Sequence, residues 1–301
     1  MSASLAIASS RSLQLVARTA AYVELTKPRI ATMVLVTVAA SACVATWRQP
    51  TWAILHAVIG TLFVAGSSCA ANQWLERIRD GLMTRTADRP LPQGRLSSFE
   101  AVAFAGGTLI FGLAWLLAFT TPVTAGLALL TWLLYVVVYT PLKTRSSWNT
   151  LVGAIPGALP ILIGWTCVDA PLNLRAAGLF FTLFLWQFPH FMAIAWLYRK
   201  QYAAAGFRML PVVDASGRWA GLQAVICAVA LLPVSLVPVV SLPGNGSLIY
   251  AVAALTLGCG QLGCAIAFAY HRDDLAARRL LRASLIYLPL LLGCLVALPG
   301  R

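Results

Sequence analysis

Nine stretches of this 301-residue chain are apolar over the length that a helix needs to cross a bilayer. The hydrocarbon core is about 30 Å thick, which takes roughly 20 helical residues. Inside it no water is present to satisfy backbone N–H and C=O groups, so each run must satisfy them within itself, as a helix does. The runs lie at about 29–47, 52–73, 99–119, 122–139, 149–168, 174–196, 219–239, 246–270 and 279–298. Composition agrees: 60% of residues are hydrophobic and 10% charged, against about 25% charged in soluble proteins. The expected fold is an all-α integral membrane protein, with about nine transmembrane helices in one bundle.

Orientation follows from the basic residues, which stay on the cytoplasmic side of short loops. With the N-terminus inside, Arg48, Arg175 and Arg301 alone among the 22 Lys and Arg residues face outward. An even number of spans would destroy this asymmetry. The net charge of +13 is thus a topology signal, and no nucleic-acid partner is implied. No run of Gly, Ser or Pro is long enough for an interdomain linker, so residues 1–301 form a single membrane-embedded domain. Residues 1–21 are expected to be a short cytoplasmic tail. Seven cysteines lie in or near apolar runs without CxxC spacing and read as small core residues.

The long polar loops follow the second and sixth spans, on the inner side, and the active site should therefore face the cytoplasm. Each loop closes on a Leu-Pro pair, Leu91-Pro92 and Leu210-Pro211, which hints at a four-helix repeat. Asn72, Glu76 and Asp80 recur every four residues, so their side chains share one stripe of a helix. Acids number only nine in the chain, and ionisable groups near membrane depth are costly. Paired hard oxygens suit Mg²⁺, which bridges carboxylates to substrate phosphates. Ion pairing of Glu76 and Asp80 with Arg77, Arg79 or Arg85 is the alternative. Arg85 and Arg89 follow, with the planar donor geometry that grips phosphate. Farther on, Trp186-Gln187-Phe188-Pro189-His190-Phe191 forms an aromatic cluster interrupted by a proline. Its rings are suited to shielding a carbocation or simply to packing, and His190 to binding a metal, donating a hydrogen bond or resting satisfied in the core.

Four blocks carry a resemblance over roughly residues 22–298: Leu25-Thr26-Lys27-Pro28-Arg29, Asn72 to Pro92, Trp148-Asn149-Thr150 through Pro160, and Trp186 to Pro211. In these the chain resembles the intramembrane prenyltransferases and, within them, the protoheme farnesyltransferases or haem O synthases. The resemblance implies farnesyl diphosphate, haem b and water as substrates, with haem O and diphosphate as products. It also implies Mg²⁺ as cofactor and a bacterial inner-membrane location. Asn72, Glu76 and Asp80 would hold the metal, with Arg85 and Arg89 completing the catalytic set. Lys27, Lys143, Arg145, Asn149, Trp186, His190, Tyr198, Arg199 and Lys200 would bind substrate. Association with haem A synthase or oxidase assembly proteins would fit such an enzyme. Gln201 departs from the pattern, because family members usually carry Asp there in a second metal motif; one metal would then be held more weakly. The rival expectations are a sibling enzyme acting on a quinone or chlorophyll precursor and a membrane transporter.

Overall fold

The computed structural model describes residues 2–46, 51–242 and 245–298, with side chains from Gln14 onward apart from Ser241. Arg48 and Arg301 therefore lie outside the described residues. In chain order the elements are α1 (Ser2–Leu25), α2 (Pro28–Ala45), α3 (Trp52–Asp80), α4 (Ser98–Phe119) and α5 (Pro122–Leu133). A π-helical stretch, Leu134–Tyr139, leads into the short α6 (Thr140–Leu142). Then come α7 (Asn149–Thr166), α8 (Leu174–Leu197), α9 (Arg199–Ala204), α10 (Leu210–Val213), α11 (Arg218–Ser235), a 3-10 turn (Val237–Ser241), α12 (Asn245–His271) and α13 (Asp274–Ala297). Among the described residues, nine helical segments are long and apolar enough to span a bilayer, and they coincide with the nine expected runs.

Local chemistry sets the helix starts. Ser97 and Glu100 form a reciprocal capping box at α4, Asn173 accepts two backbone N–H groups at α8, and Asp273 accepts from Ala276 at 2.7 Å at α13. Packing between helices relies on small residues, as expected where lipid offers no hydrophobic drive for association. α3 crosses α4 so closely that a Cβ on Gly112 would lie 2.9 Å from the Gly60 carbonyl oxygen. Trp165, Tyr250, Tyr287 and Phe188 fill the interior, while Ile110, Leu248 and Leu290 project outward as a lipid-facing surface requires. Contacts of α2 with α7, α7 with α8, α8 with α13 and α13 with α2 close a ring of helices.

One feature departs from the sequence expectation. The segment expected as a tail is α1, which docks through buried Ala21 and Leu25, a Tyr22–Phe104 ring contact and an Arg18–Glu100 ion pair. α3 runs to Asp80, as the helical spacing of the stripe predicts. Its 29 residues reach about 44 Å at 1.5 Å per residue. That exceeds the hydrocarbon by about 14 Å, and the oxygen-bearing stripe occupies the last turns of the helix.

Candidate active site

The stripe holds its geometry: Asn72, Glu76 and Asp80 are all buried. Each meets a partner from a different part of the chain. Lys27 Nζ donates to Asn72 Oδ1 at 2.6 Å, Lys143 Nζ to Glu76 Oε1 at 2.8 Å, and Arg89 to Asp80 Oδ2 at 2.6 Å. The carboxylates are thus paired, but not with Arg77, Arg79 or Arg85: Arg77 turns back onto the Trp74 carbonyl. Lys27 occupies the break between α1 and α2 with a left-handed backbone, φ 50°, a conformation costly for a residue with a Cβ and typical of functional positions. Burial holds the Lys27 ammonium down at about 8, and the nearby cations Arg89 and Lys143 act in the same direction. Burial also disfavours charge on Lys143, but Glu76 and the phenols of Tyr139 and Tyr135 outweigh it and raise that lysine above its ordinary range.

The π-helical stretch explains how Lys143 and Thr140 arrive together. Thr140 Oγ1 donates to the Tyr135 carbonyl at 2.8 Å and so must accept from Asn72 Nδ2 at 3.0 Å. A hydroxyl has one proton to give. The Asn72 amide is thereby oriented with Oδ1 toward Lys27 and Nδ2 toward Thr140. π-Helical turns are rare and cluster at functional sites. The Tyr139 ring lies 4.6 Å from Lys143 Nζ.

The two polar loops close on each other. The Arg85 backbone N–H donates to Gln201 Oε1 at 3.2 Å, its guanidinium to the Tyr202 hydroxyl at 3.3 Å, and it lies 4.7 Å over the Tyr198 ring. Met83 packs with Ala205, Phe207 and Met209 beneath. Asn149 Nδ2 donates to the Arg208 carbonyl at 3.0 Å, and the Arg208 N–H to the Lys143 carbonyl at 2.7 Å. Asn149 therefore shapes the loop through backbone contacts. Lys200 and Arg145 are exposed. Arg199, expected at the anion, instead pairs with Asp274 at 2.9 Å and stacks over Trp196, because the start of α13 offers an exposed carboxylate beside it. Trp186 and His190, one helical turn apart on α8, both bond to Ser284 of α13.

The donor set fits Mg²⁺ only in company. Asp80 Oδ1 is buried without a hydrogen-bond partner among the described residues, a vacancy in pairing that a hard cation satisfies. No group of three or more His, Cys, Asp or Glu capable of holding a metal occurs among the described residues. Two carboxylates and an amide would supply three donors, and water and phosphate oxygens would have to supply the rest. Sequence reasoning missed Thr140, Tyr139 and Ser284, which sit within or at the ends of apolar runs; a polar residue at each such position was the available signal.

A membrane bundle that gathers carboxylates and cations at the end of one helix has the makings of an intramembrane enzyme. Residues 33–288 match the UbiA prenyltransferase family, and the chain belongs to it. Protoheme IX farnesyltransferase of Solibacter usitatus is 42% identical over 91% of this chain and 97% of its own length. Its counterpart from Rhodopirellula baltica is 45% identical over 90% of this chain and 96% of its own. Among solved structures, digeranylgeranylglyceryl phosphate synthase superposes with a TM-score of 0.77 at 15% identity, covering 93% of this chain and 97% of that one. A UbiA homologue from Archaeoglobus fulgidus bound to DMAPP and Mg²⁺ gives 0.66 at 14% identity, covering 92% and 99%. At such identities these two establish the shared fold.

Proposed function

We propose that this chain transfers the farnesyl group of farnesyl diphosphate to a vinyl group of haem b with addition of water, giving haem O and diphosphate. The observation that carries the reading is the similarity, over nine-tenths of both chains, to relatives named protoheme IX farnesyltransferase. The site chemistry supports it. Lys27, Lys143 and Arg89 sit against the stripe as cations, with Arg85 on the adjoining loop. They are placed to turn from the carboxylates to the oxygens of a diphosphate. Mg²⁺, held by Asn72, Glu76 and Asp80 together with the diphosphate, would supply Lewis-acid neutralisation of the leaving group.

As the allylic C–O bond breaks, its electron pair leaves with diphosphate, where these cations stabilise the developing charge. The vinyl group attacks the farnesyl carbon. Water adds to the resulting haem-side cation and loses a proton, so no protein nucleophile is required. The enzyme would lie in a bacterial inner membrane with this site on the cytoplasmic side, as the basic loops favour. Incubating the protein in bilayers with haem b, farnesyl diphosphate and Mg²⁺, followed by mass analysis of extracted haem, tests the reading. Haem O is expected; prenylation of hydroxybenzoate instead of haem would assign the sibling activity.

A further inference from the structure

Ser284 fixes the proton of a histidine. Its hydroxyl proton goes to the Leu281 carbonyl at 2.7 Å. Toward His190 Nδ1, at 2.9 Å, the same oxygen must therefore accept. Nδ1 then carries the ring hydrogen, and Nε2 keeps its lone pair. The Trp186 indole N–H donates to the Ser284 carbonyl at 2.8 Å, and the Trp186 and His190 rings stack 4.9 Å apart at 21°. One serine thus holds both rings of the α8 cluster, and the imidazole cannot turn without losing its hydrogen bond and its stack. Pinning one ring nitrogen on an oxygen acceptor is how proteins prepare the other to bind a metal.

We infer that His190 Nε2 ligates the haem iron of the acceptor substrate, with Ser284 as the residue that positions it. This rests on haem b being the acceptor. Ligation donates the Nε2 lone pair to iron and releases an iron-bound water; no covalent bond of haem or protein breaks, and no electron is transferred. The axial bond would hold the macrocycle while one vinyl edge is alkylated. The chain has three histidines, and the others are poorly placed. His56 stacks on Phe119, about 24 Å along α3 from Asn72, and His271 is exposed at the end of α12.

The test is titration of the full chain, in lipid nanodiscs, with ferric haem b, followed by absorbance and electron paramagnetic resonance. The wild type, His56→Ala and His271→Ala are expected to show histidine-ligated haem. His190→Ala should lose that signature, and added imidazole should restore it in His190→Gly, which also shows that the variant is folded. Ser284→Ala should bind haem about tenfold more weakly and shift the ferric g-values, which a purely structural defect would not do. Wild-type spectrum and affinity in His190→Ala would overturn the ligand assignment while leaving haem as acceptor. Failure of the wild type to bind haem would overturn the acceptor reading and the ligand with it.

Discussion

Replacing Lys143 by Met should destabilise the substrate-free protein far more than an ordinary surface substitution. The Lys143–Glu76 pair is 2.8 Å long, with side chains only 15% and 7% exposed. At an effective dielectric of about 20, unit charges at that distance attract by about 6 kcal/mol. Desolvation of both groups offsets much of this, so the intact pair is worth far less. Removing one partner is different, because Glu76 is then left charged and buried; the expected loss is about 3–5 kcal/mol. Adding Glu76→Gln to Lys143→Met should recover most of that loss, since the orphaned charge disappears. Both variants and Glu76→Gln alone would be followed by reversible denaturation in detergent micelles, closing a double-mutant cycle. A Lys143→Met protein as stable as the wild type, or a double variant no better than Lys143→Met, would refute the argument that Glu76 is a buried carboxylate dependent on this lysine.

Three further outcomes are expected. Thr140→Val keeps the shape but loses the acceptor for Asn72 Nδ2; the Mg²⁺ concentration for half-maximal turnover should rise severalfold, while Thr140→Ser should resemble the wild type. Gln201→Asp, which supplies the acid the family pattern leads one to expect, should lower the Mg²⁺ requirement; an unchanged requirement would confine Gln201 to clasping Arg85. Lys27 is charged below about 8 and neutral above it, so affinity for farnesyl diphosphate should fall as pH rises through that value, and Lys27→Met should flatten the dependence in equilibrium binding measurements.

The spans were legible because hydropathy is a one-dimensional signal imposed by the bilayer. The Asn72, Glu76, Asp80 stripe was legible for a similar reason: period four on a helix is geometry written in the numbering. Their partners were not. Nothing in the sequence links Glu76 to Lys143 or Asp80 to Arg89, since those pairings depend on how α3, α6 and the following loop pack. Arg199 illustrates the converse. Its charge and loop position pointed to the anion, yet the start of α13 supplies Asp274 as an alternative that only tertiary structure reveals. The helical character of residues 2–25 was hidden because the segment is neither apolar enough for a span nor strongly patterned.

The docking of α1 bears on how this protein is best prepared. Residues 1–21 read from sequence as a short tail, and trimming terminal tails is routine before purification. Here Ala21 and Leu25 are buried, and the helix ends at the left-handed Lys27 whose ammonium touches Asn72. A shortened protein lacking Arg18 gives up the tie to Glu100 on α4, and an affinity tag fused just before Tyr22 would press against the same joint. Lys27 caps the start of α2 at that joint, so the purification handle belongs at the other terminus.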